Sequence, residues 1–80
     1  MSEKFTEYPR AAELRASMNR VRTSRMLTAD DVAKMISEET GYHFTGNMYQ
    51  AIETGVTKNV PTWVPLAMLN IFALHPAELF

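Results

Sequence analysis

Two threonines, each followed by a glycine at the distance of a short helix, constrain this chain most: Thr28 ahead of Gly41, and Thr45 ahead of Gly55. A threonine hydroxyl accepts a hydrogen bond from the unpaired N–H groups that open a helix. A glycine adopts the left-handed conformation that closes one without a Cβ penalty. The pattern therefore predicts a helix begun at Thr28 and stopped at Gly41, and a shorter one begun at Thr45 and stopped at Gly55. Asp31 stands three residues after Thr28, which is capping-box spacing with Asp in place of the usual Glu. Asp30 and Asp31 also suit the positive end of that helix. Val32, Ala33 and Ile36 supply its inward face, and Tyr49 with Ile52 supplies that of the shorter helix.

Helical periodicity extends to both sides. Leu14, Met18 and Val21 follow i, i+4, i+7 and predict a first helix over 9–25. Arg15, Asn19 and Arg22 repeat that spacing on the neighbouring stripe, and Leu27 reads as a turn residue held in the core. A fourth helix is expected after Pro61, with Thr62 as N-cap, running to about 73. Pro65 is tolerated there because the first turn needs no internal N–H donors. Pro76 is placed to open a last short turn. No stretch alternates apolar and polar residues, and neither Asn-Gly nor Asp-Gly occurs. The expectation is one all-α domain over 9–80 behind a flexible arm, 1–8.

Composition narrows the function. With 80 residues, 46% hydrophobic and 21% charged, the chain has globular character and a small core. It has no cysteine, and its two histidines, His43 and His75, lie far apart, so neither a disulfide nor a zinc site is expected. The longest apolar stretch, 64–74, is too short to span a bilayer. The start of the chain lacks the apolar run of a signal peptide, which points to a cytoplasmic protein. No catalytic motif appears: Gly41 and Gly46 have P-loop spacing, but Asn47 stands where the lysine is needed. No cofactor, metal or small-molecule ligand is expected. The net charge of −1 weighs against nucleic-acid binding. Yet six of the eight basic residues, Arg10, Arg15, Arg20, Arg22, Arg25 and Lys34, fall in the first half, where they can form a local basic face.

From Val21 to Phe80 the chain resembles the lambda-repressor-like helix-turn-helix family, particularly its actinobacterial and phage members. The matching residues are Arg22, Arg25 and Leu27-Thr28 before Val32-Ala33, then Ile52-Glu53-Thr54-Gly55, then the run from Phe72 to Leu79. The resemblance implies a compact bundle of four to five helices and a transcriptional regulator, repressor or Cro-like, that binds double-stranded operator DNA. It further implies that the segment 45–54 lies in the major groove. Gly46, Asn47, Met48 and Gln50 would then face the bases. Asn and Gln can bond bidentately to adenine, and Met48 could meet a thymine methyl. Thr28, Thr45, Arg25, Thr57, Lys58 and Asn59 would contact the DNA backbone, with Arg10, Arg15 and Arg20 as further candidates. Arg22 would pair with Glu53 beneath the reading helix. The plainer alternatives are solvated surface polars and two uncoupled charges.

One departure is that 38–44 is longer than the family's tight turn; Tyr42 and His43 could reach a phosphate from it or cover the core edge. The apolar fourth helix poses a separate question. Trp63 and Leu66 fall on a face the core does not need, and Leu79 and Phe80 end the chain. Contiguous apolar surface points to a partner site, here a two-fold homodimer. Alternatively Trp63 folds back as a lid over the core. A protein-interaction module acting through the fourth helix and C-terminus is the competing function.

Overall fold

The computed structural model describes residues 11–80. Arg10, the arm 1–8 and the expected start of the first helix lie outside them. The described chain is all-helical: α1 (Ala11–Ser24), α2 (Ala29–Thr40), α3 (Gly46–Thr54), α4 (Trp63–Ile71) and a closing 3-10 turn (Pro76–Glu78). There is no strand among the described residues, and no helix is long and apolar enough to cross a membrane.

The central helices are bounded as the Thr and Gly positions require. Thr28 Oγ1 accepts from Asp31 N–H at 3.1 Å, while the Asp31 carboxylate accepts from Thr28 N–H at 2.9 Å, which completes the capping box. Gly41 closes α2 at φ 80°. Thr45 Oγ1 accepts from Met48 N–H, and Gly55 closes α3 at φ 89°.

The outer helices end differently. After α1, Leu27 N–H reaches the Arg22 carbonyl and Met26 N–H the Thr23 carbonyl. After α4, Leu74 N–H reaches Leu69 and Ala73 N–H reaches Asn70. Both are Schellman closures, in which the pivotal residue must be left-handed. Here that residue is Met26 (φ 58°) or Ala73 (φ 52°), not glycine. Consequently α4 stops at Ile71, short of the expected 73. Thr62 stands at the N-cap position, as expected, but it is already in the helical conformation and makes no side-chain capping bond.

The core collects Leu14, Met18 and Val21 from α1, Val32, Ala33 and Ile36 from α2, Phe44, Tyr49 and Ile52 around α3, and Val60, Val64, Ala67 and Met68 before and along α4. Leu79 joins them at 3% exposure. That corrects its expected place at a dimer interface: the 3-10 turn brings the chain end back over the helices and spends Leu79 on the core. Trp63 is also largely withdrawn from the surface. Its ring packs on Phe44 at 5.1 Å and on Tyr42 at 4.8 Å between centroids, so it serves as a lid. Leu66 and Phe80 remain at 56% and 48% exposure.

Candidate nucleic-acid interface

The stripe Arg15, Asn19, Arg22 on α1 meets the C-terminal half of α3. Arg22 holds Glu53 through two bonds, Nη2 to Oε1 at 2.8 Å and Nε to Oε2 at 3.1 Å, and its Nη1 donates to the Leu27 carbonyl at 2.9 Å. Asn19 Nδ2 donates to the same Glu53 Oε1 at 2.8 Å. The pair is mostly withdrawn from water, with side chains 18% (Arg22) and 6% (Glu53) exposed. Burial alone would raise the Glu53 carboxyl, but Arg22, Tyr49 and Asn19 together outweigh it and hold it below its ordinary value. The hydrogen bond to Glu53 raises Arg22 in turn. Burial pushes the neighbouring Tyr49 hydroxyl far above its usual range, so it stays neutral beside the pair.

Arg15 does the same work at the end of α3. Its Nε donates to the Ile52 carbonyl at 3.1 Å and its Nη2 to the Lys58 carbonyl at 2.7 Å. It ties the last turn of α3, whose Ile52 carbonyl also accepts from Gly55 N–H, to the loop that follows, with the charge sign the helix dipole favours there. Arg15 is therefore a positioning residue and not the free phosphate donor its position on α1 suggested. Arg25 is exposed at the end of α1. Its guanidinium bonds to the Val21 carbonyl and lies over the Phe72 ring at 5.0 Å, turned toward the end of α4. Arg20 donates to Ser17.

With its inner side anchored, α3 presents an outer one. Asn47, Met48 and Gln50 are exposed. Neither the Asn47 nor the Gln50 side chain makes a hydrogen bond among the described residues. Gly46 does not belong to this outer set: it is buried where the starts of α2 and α3 meet. A Cβ there would overlap Asp30 Oδ1 and lie 3.0 Å from the Asp30 Cα. The glycine is needed for that close approach, and the expected base contact from Gly46 is withdrawn. Sequence reasoning treated Asp30 only as a helix-dipole residue; glycine at the first position of α3 was the signal that something else approaches.

Between the two helix starts runs an open groove lined by Thr28, Ala29, Asp30, Gly46, Asn47 and Gln50, with Arg22 and Leu27 behind. Thr28 and Thr45 both cap, yet each hydroxyl keeps its own hydrogen to donate. Beyond α3, Thr57, Lys58 and Asn59 are exposed, and Thr57 N–H is tied to the Ala51 carbonyl at 2.9 Å. The structure thus brings Thr28, Thr45, Asn47, Met48 and Gln50 together around the start of α3, with the 57–59 loop at its other end. His43 is exposed, and Tyr42 packs one face on Trp63 while remaining half-exposed. Among the described residues no group of His, Asp or Glu side chains could hold a metal ion. Compared with family models, curated proteins and solved structures, the chain matches none.

Proposed function

We propose that this chain is a sequence-specific DNA-binding transcriptional regulator of the lambda-repressor-like helix-turn-helix kind, acting in the cytoplasm without cofactor or catalysis. In this reading α2 crosses the DNA backbone and α3 enters the major groove. The observation that carries it is the division of α3 into two sides. One side is tied to α1 through Arg15, Asn19 and Arg22; the other offers Asn47, Met48 and Gln50 with no internal hydrogen-bond partner. A rigid helix with uncommitted amide side chains suits base-edge readout, and the hydroxyls of Thr28 and Thr45 with the 57–59 loop suit phosphate contacts. Two-fold operators call for a homodimer, for which Leu66 and Phe80 supply exposed apolar surface.

The test is selection of bound duplexes from random DNA, followed by gel retardation. The wild type should enrich one sequence with two-fold symmetry. Asn47→Ala and Gln50→Ala should each reduce discrimination at one base position by about 1–3 kcal/mol while the melting temperature stays unchanged. Failure to enrich any sequence, with no retardation at low salt, rejects the proposal. One observation favours a second reading, a protein-interaction module: Leu66 stands exposed one turn from the Trp63–Tyr42 pair, while Arg15, Arg22 and Arg25 are all committed internally.

A further inference from the structure

Three carboxylates lie at or behind the α2–α3 groove, and two of them are spoken for. Glu53 receives Arg22 and Asn19. Asp31 accepts from the Thr28 backbone. Asp30 is exposed and makes no hydrogen bond or ion pair among the described residues. Its position is nonetheless well defined. A Cβ at position 46 would lie 3.0 Å from the Asp30 Cα, a tight approach, and the Asp30 carboxylate lies over that glycine. It therefore lines the same groove as Asn47 and Gln50.

An uncommitted carboxylate is a poor element of a surface that meets phosphates, because like charges within the screening length repel. It becomes useful only where it meets a donor. In the major groove the base donors are the amino groups of cytosine (N4) and adenine (N6); guanine offers O6 and N7, and thymine offers O4 and a methyl group. An ionised carboxylate only accepts, so it is attracted to the first pair and repelled by the second. Asn47 and Gln50 can satisfy adenine by donating and accepting at once, which a carboxylate cannot do. Cytosine, whose edge presents a donor, is the base it suits best.

We infer that Asp30 is a third reading residue, one that selects cytosine beside the bases read by Asn47 and Gln50. The inference rests on the DNA-binding reading above. It also assigns a cost to Asp30: the charge that discriminates bases lowers the affinity for DNA in general.

The experiment compares sites selected by the wild type, Asp30→Asn and Asp30→Ala, then measures binding to the selected duplex with each base pair replaced in turn. For the wild type, replacing one C·G pair should weaken binding roughly tenfold or more. In Asp30→Ala that position should become indifferent, and in Asp30→Asn its preference should move from cytosine toward adenine; in both, the positions read by Asn47 and Gln50 should keep their preference and binding to unrelated DNA should tighten. Asp30→Asn keeps the shape over Gly46, so it carries the test if Asp30→Ala melts. Identical preferences in wild type and Asp30→Asn at every position overturn the role of Asp30 and leave the DNA reading standing. A wild type that selects no sequence overturns both.

Discussion

Glu53 is held below its ordinary value against the effect of burial, by Arg22 first and then by Tyr49 and Asn19. Removing either member of its pair with Arg22 strands the other charge, and partners of largely buried pairs typically cost about 3–5 kcal/mol on truncation. Arg22 keeps some contact with water, so the lower end applies: Arg22→Ala or Glu53→Ala should each lose about 3 kcal/mol in urea denaturation, with a double variant losing far less than the sum. The pH dependence follows from the direction of the Glu53 shift. A carboxyl whose folded value lies below its unfolded value contributes stability at neutral pH, and that contribution fades as pH falls through the ordinary carboxylate range to the folded value. Asp31, lowered by the Thr28 backbone bond, acts in the same direction. Melting temperature should therefore fall on acidification from pH 7 to 3, and Glu53→Gln should flatten the decline. An unchanged slope in Glu53→Gln would remove Glu53 from the account of acid stability.

At the scale of elements, the two ends of the bundle contrast with its middle. The middle helices close on glycine, whereas the outer two close on Met26 and Ala73 in a conformation that costs side-chain-bearing residues about 1–2 kcal/mol. Both residues are exposed, Met26 at 93%, so glycine there would lose little packing. After the extra chain entropy of glycine is offset, Met26→Gly and Ala73→Gly should each raise stability by about 0.5–1 kcal/mol, read as a higher urea midpoint at constant slope. The same contrast explains what could be read in advance. Thr28, Asp31, Gly41, Thr45 and Gly55 act within a turn of where they stand, and their roles were legible from spacing. The end of α4 was not, because nothing in Ala73 announces a left-handed residue. The apolar stripe of α1 was legible too, but the carbonyls Arg15 would find were not, since they belong to residues 37 and 43 positions away. Leu79 was misplaced for a similar reason: a short non-periodic tail carries no signal of which face it will cover.

For the whole molecule the governing quantity is charge that remains free to meet a polyanion. The chain carries −1 overall. Arg15 holds the end of α3, Arg22 is neutralised by Glu53, and Arg25 is drawn to Phe72. Among the described residues around the α3 surface, this leaves Lys58 as the cation with an uncommitted head, alongside neutral donors on Thr28, Thr45, Thr57 and Asn59. Hydroxyls and amides position a protein on phosphates without releasing many counterions. A regulator built this way should depend weakly on ionic strength. With Lys58 neutralising about one phosphate per chain, the slope of log affinity against log salt should be about −1 per chain and about −2 for a two-chain complex. Fluorescence anisotropy on the selected duplex, titrated from 50 to 200 mM salt, measures it directly. Lys58→Ala should reduce the slope of the dimer by about 2 and weaken binding to all sequences alike. A slope near twice the expected value would mean that arginines leave their internal partners on binding, and α3 would then have to give up some of the anchoring from α1 that holds its reading side in place.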